Sequence, residues 1–123
     1  MAFSSLVILH LVATSFNVFH ARGITFTVGD LDGWSPFTNF SNWLQGKEFH
    51  VGDVLDFNYP KGAHTVMQVN SNAYEECIKD THIRQFTNGN DSMLLTEATQ
   101  MWFICGVSNH CENGQKLTIN VTP

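Results

Sequence analysis

Basic charge is scarce in this chain: six Lys and Arg face eleven Asp and Glu, for a formal net charge of −5. A nucleic-acid partner is therefore not expected, because neutralising phosphates needs a basic stripe that no segment supplies. Long apolar runs are equally few. The N-terminal one is broken by His10 and is shorter than the roughly 18 residues that a membrane span requires. No apolar tail follows QKLTINVTP, so no C-terminal lipid-anchor signal is present and no stable membrane anchor is expected. Internal repeats, low-complexity tracts and linkers are also lacking.

The opening MAFSSLVILHLVATSFNVFHARG carries an apolar stretch from Leu6 to Ala13, then small residues at Ala21 and Gly23. That pattern predicts a secretory signal peptide over 1–23 and a mature domain over 24–123, beginning at Ile24. Loss of Arg22 leaves five basic residues against the same eleven acidic ones, a net charge of −6. About 100 residues suffice for one domain with one core. Sequons at Asn39, Asn90 and Asn120 agree with an extracellular location and are candidate glycan acceptors.

In an oxidising compartment cysteines pair. The mature region has three, Cys77, Cys105 and Cys111, so one is left over. Such a thiol can pair with another chain, sit inert in the core, or serve as a reactive or ligating thiolate. The stretch CGVSNHCENGQ, Cys105 to Gln115, bears on the choice: it crowds two cysteines, His110 and a glutamine together.

Short β-branched and aromatic runs recur through the chain: GITFTVG, EFHV, VLDFNY, HTVMQV, SMLLT, MWFIC and QKLTINVT. Turn material such as GDLDG, YPKGA, NSN, NGND and CENG separates them. The spacing predicts an all-β, antiparallel sandwich or barrel of about seven strands. SNAYEECIKD, opening on Ser and Asn without Gly or Pro, is the best short-helix candidate.

Strand parity then sorts the side chains. Met101, Phe103 and Cys105 share one face, which places the thiol with bulky apolar residues. Gln115 shares a face with Leu117, Ile119 and Val121, while Lys116, Thr118, Asn120 and Thr122 are expected to face water. An inward amide needs a partner. His64 shares its face with Val66 and Gln68, though parity alone does not say which face is inward. His110 falls in the turn between the strands of Cys105 and Gln115. Two imidazoles, one thiol and a weak oxygen donor are the parts of a mononuclear copper site, in which His₂Cys forms a trigonal set completed by a weak axial ligand.

The ordered segments TVGDLDGW, NWLQGKEFHVGDVLDFNY, AHTV, YEEC and MWFICGVSNHCENGQKLTINV, covering about residues 24 to 122, resemble the plant phytocyanins. These are extracellular blue-copper proteins with a cupredoxin-like Greek-key β-sandwich and one or two short helices. The resemblance implies a single type 1 copper ion held by His64, Cys105 and His110. Gln115 falls where stellacyanins carry an axial Gln and other branches carry Met. It also implies a Cys77–Cys111 disulfide, a monomer in the apoplast or cell wall, and a one-electron carrier rather than an enzyme. The redox partner, a small molecule or a protein, stays open. Two departures stand out. The ligand loop GVSNH lacks the Pro found near the His in many relatives, and no Pro/Ser-rich tail is present.

Other readings compete. A zinc site wants four strong ligands, yet Cys111 adjoins His110, so the two are poorly placed to reach one ion. A Cys–His hydrolase needs an exposed thiolate and a substrate cleft, for which a domain this small has little room. A secreted, wall-associated recognition or signalling module, with copper redox activity incidental, is the stronger rival. His50 and His82 have no ligand-like company and are expected at the surface or behind the ligands. Met67, Met93 and Met101 are expected to fill the core.

Overall fold

Two β-sheets face one another across an apolar core in the computed structural model, which describes residues 23–123. The expected signal peptide lies outside the described residues except for Gly23. In chain order the elements are β1 (Thr25–Thr27), a 3-10 turn (Asp30–Asp32), α1 (Phe40–Leu44), β2 (Phe49–His50) and β3 (Val54–Asn58). Then come β4 (Val66–Val69), α2 (Ser71–Glu76), β5 (Arg84–Phe86), β6 (Asn90–Leu94), β7 (Gln100–Ile104) and β8 (Lys116–Thr122). One sheet runs β1-β3-β6 and the other β2-β8-β7-β4-β5.

All seven expected strands are present, and the cupredoxin-like sandwich is the observed fold. Two features differ from the sequence reading. The sheets are mixed rather than antiparallel, because β1 pairs β3, and β2 pairs β8, in parallel. Parallel neighbours need a long crossover, and the segment holding the 3-10 turn and α1 supplies it for β1 and β3. The eighth strand, β5, was not expected. Its sequence, Arg84-Gln85-Phe86, is polar because it is an edge strand with only Phe86 partly covered.

The two helices follow local signals. Asn39 caps α1 by accepting from Asn42 N at 3.0 Å, and Asn70 caps α2 by accepting from Ala73 N at 2.8 Å. An Asn oxygen satisfies one of the free N–H groups at a helix start. The α2 helix is shorter than the expected segment and ends at Cys77, whose φ of 52° breaks the helical path.

Packing decides what parity could not. The inter-sheet core joins Trp34, Phe57, Val66, Phe103, Cys105, Leu117 and Ile119, among others. Within it Trp34 meets Phe57 edge-on at 5.2 Å between ring centroids, and Phe57 meets Phe103 at 5.4 Å. Val66 belongs to this core, so its face of β4, the one expected for His64, is the inward one. A smaller cluster of Met67, Val69, Ala73, Ile104 and Cys111 fills the space between α2 and the back of the larger sheet. One correction falls on β8: Asn120 and Thr122 are exposed as expected, but Lys116 and Thr118 are half-buried, and the α2 cover accounts for Lys116. The Lys116 ammonium lies 4.5 Å from the Tyr74 ring centroid and donates to the Tyr74 carbonyl. Met67, Met93 and Met101 are buried core residues.

Candidate metal centre

Three donor atoms from two distant parts of the chain converge at one end of the sandwich. His64, just ahead of β4, presents Nδ1 at 3.1 Å from Nδ1 of His110. The Cys105 sulfur, at the end of β7, lies 3.9 Å from His64 Nδ1 and 3.6 Å from His110 Nδ1. Both imidazoles are half-buried, whereas Cys105 is fully buried and is the one free cysteine among the described residues. His50 and His82 are exposed and take no part. Burial, and secondarily the neighbouring His110, lowers the pKa of His64 from its ordinary value. The shift favours the neutral ring, the form that can donate a lone pair.

Gln115 has no exposed surface, and neither its amide nitrogen nor its amide oxygen has a hydrogen-bond partner. An unpartnered buried amide costs about 1–3 kcal/mol. Its backbone is tied into the cluster: Cys105 N donates to the Gln115 carbonyl at 3.1 Å, and Gln115 N to the His110 carbonyl at 2.9 Å. The two imidazole nitrogens and the thiol form a donor set that fits a copper ion.

The ligand loop lacks proline, and other contacts hold it. Cys77 and Cys111 form a disulfide, 34 residues apart in sequence. The Lys79 ammonium donates to the Ser108 carbonyl at 2.6 Å and to the Glu112 carboxylate at 2.9 Å. That hydrogen bond is the main reason the Glu112 carboxyl is held below its ordinary pKa. Inside the loop, Val107 N donates to the Cys105 sulfur at 3.4 Å and His110 N to the Val107 carbonyl at 3.1 Å.

Thr65 joins the two halves of the cluster. Its hydroxyl accepts from Gly106 N at 2.8 Å, and its carbonyl accepts from the indole of Trp34 at 2.8 Å. The approach at Gly106 is close: a Cβ there would lie 2.5 Å from the Met67 sulfur and 3.0 Å from the Thr65 hydroxyl, so a larger residue would have to displace these side chains. On the other side of His64, the Tyr59 ring stands edge-on at 6.3 Å between centroids. The Tyr59 hydroxyl donates to the buried carboxylate of Asp91. Burial first, and then that bond, push the Tyr59 pKa up to about 12.

The plastocyanin-like domain family matches residues 34–115. A blue copper protein of Pisum sativum is 38% identical over 122 residues, which is 98% of this chain and 65% of the pea protein. Stellacyanin of Toxicodendron vernicifluum is 40% identical over 102 residues, covering 79% of this chain and 95% of that one. The chain belongs to the phytocyanin family. The solved structure of cucumber stellacyanin with Cu²⁺ superposes on this phytocyanin with a TM-score of 0.72 at 35% identity, covering 83% of this chain and 97% of the other.

Of the four residues singled out from the sequence, the phytocyanin structure brings His64, Cys105 and His110 together, and it ties the backbone of Gln115 to Cys105 and His110. Sequence reasoning missed Thr65, Tyr59 and Lys79. The adjacency of His64 to Thr65, and of Cys105 to Gly106, was the available signal for Thr65. Tyr59 and Lys79 carry no comparable local signature.

Proposed function

We propose that this phytocyanin is a secreted one-electron carrier with a single type 1 copper ion. In this reading His64, Cys105 and His110 are the strong ligands and Gln115 is the weak axial one. The observation that carries it is the convergence of two imidazole nitrogens and a free thiol within 3.9 Å of one another. The orphaned amide of Gln115 supports the fourth position. When bound, copper supplies the redox couple, Cu(II)/Cu(I), whose two states favour different geometries.

The chain's own residues do the rest. The two histidines offer their Nδ1 atoms, and Cys105 gives up its thiol proton on loading. The Val107 N–H steadies the resulting sulfur charge. The disulfide, Lys79 and the Thr65–Gly106 bond hold the donors where they already converge, which limits rearrangement when an electron moves. Burial of Cys105 keeps water from the sulfur, while the half-exposed imidazoles give electrons a short way in and out. The partner is then a small redox molecule or a protein of the apoplast or cell wall, and no substrate is turned over. Asn39, Asn90 and Asn120 are all exposed, as glycan acceptors must be.

Visible absorption and EPR spectra of the copper-loaded mature protein test the reading. An intense thiolate-to-Cu(II) band with narrow copper hyperfine splitting is expected. An ordinary tetragonal Cu(II) spectrum without that band would overturn it.

A further inference from the structure

Asp53 is 3% exposed, yet its carboxylate has neither a lysine nor an arginine partner among the described residues. The nearest basic group is the imidazole of His50, itself 47% exposed, with Nδ1 at 3.9 Å from Oδ2. Two backbone N–H groups point at the carboxylate instead. His50 N donates to Oδ2 at 2.8 Å, and Ile24 N donates to Oδ1 at 2.9 Å. A buried carboxylate without a counter-charge is costly, and a properly placed cation offsets much of that cost. The nitrogen facing Oδ1 belongs to the residue that the small-x-small pattern of Ala21 and Gly23 places first in the mature chain.

We propose that Asp53 is the built receptor for the α-ammonium of Ile24, so that removal of the leader completes an ion pair within the fold. The inference rests on the expected signal peptide and is independent of the copper reading. Hydrolysis of the Gly23–Ile24 amide by a signal peptidase consumes one water. Gly23 leaves as a carboxylate, and the freed Ile24 amine takes up a proton at neutral pH. The neutral N–H that faces Asp53 in the precursor becomes a positive group at the same place.

The surrounding backbone allows this exchange without rebuilding. The Ile24 carbonyl accepts from Val54 N at 2.9 Å, and the β1–β3 ladder begins at Thr25 opposite Val54. No bond of that ladder uses Gly23. A Cβ on Gly23 would collide with the Gly52 carbonyl, so glycine is the residue that fits this approach in the precursor. A cleft of about 310 Å³ borders Ile24, Asp53 and Pro123 and leaves space for water on the remaining ammonium hydrogens. The three-residue strand β1, at the edge of its sheet, would be pinned at its first residue.

The test uses the protein secreted from the full-length chain. N-terminal sequencing should begin at Ile24. Competitive reductive methylation across a pH series should show an α-amine that holds its proton about tenfold more tightly than a free chain end, whose ordinary pKa is about 8. Asp53→Asn should return the amine to that ordinary value, as should a mature chain that retains Gly23. A different N-terminus, or an Ile24 amine of ordinary pKa in the unaltered protein, would overturn the proposal; neither reading depends on whether a variant folds.

Discussion

Nδ1 of His64 and Nδ1 of His110 stand 3.1 Å apart across 46 residues of sequence, with the Cys105 sulfur within 3.9 Å of both. Two ring nitrogens at that distance cannot both be protonated without repulsion, and a metal ion between them relieves the conflict. Cys105→Ser should therefore abolish the intense visible band of the copper-loaded protein, because a hydroxyl does not replace a covalent thiolate. His64→Ala and His110→Ala should weaken copper binding, while His82→Ala should leave the spectrum unchanged. A biological effect that survives Cys105→Ser would favour the recognition module over the electron carrier.

Gln115→Met tests the axial position. An amide oxygen is a harder donor than a thioether and favours Cu(II) over Cu(I). The Met variant should show the higher reduction potential by voltammetry at a fixed pH. Each shift of about 59 mV is a tenfold change in the one-electron equilibrium. An unchanged or lowered potential would make Gln115 a space-filling residue only.

Thr65→Val keeps the side-chain shape but strands the N–H of Gly106, which now donates to the hydroxyl at 2.8 Å. Thermal unfolding should show a loss of about 1–3 kcal/mol. The same variant should alter the copper spectrum, since Gly106 follows Cys105 directly. A stability loss with an untouched spectrum would mean that Thr65 supports the fold and not the site.

Tyr59 makes stability depend on alkaline pH. Its hydroxyl ionises at about 12 in the folded protein, against about 10 in an unfolded chain. The folded state thus holds this proton more tightly. Its contribution is complete below pH 10, fades as pH rises, and is gone above about 12. Tyr59→Phe should cost about 2 kcal/mol at neutral pH, because it leaves the buried Asp91 carboxylate without its donor. The variant should also flatten the alkaline limb of a denaturation series. An identical limb in both proteins would sink the assignment.

Much of the metal centre could be read along the chain because its parts are local. Cys105, His110 and Gln115 lie in one loop, and strand parity turns Cys105 and Gln115 inward without any tertiary information. The odd cysteine count required one thiol to be spared, and the turn-separated apolar runs marked out seven strands. His64 was different: its strand had two faces and no local signal to choose between them. Only the packing of Val66 into the inter-sheet core, with Met67 on the α2 side, settled which way that histidine points. The parallel pairings of β1 and β2 were hidden for a similar reason, since pairing depends on crossovers rather than on a strand's own residues. The edge strand β5 escaped because solvent on one side removes the apolar alternation by which strands are recognised. Thr65, Tyr59 and Lys79 act on segments 27 to 41 residues away. Hydrogen bonds of that kind leave no periodicity in sequence and exist only once the sheets have closed.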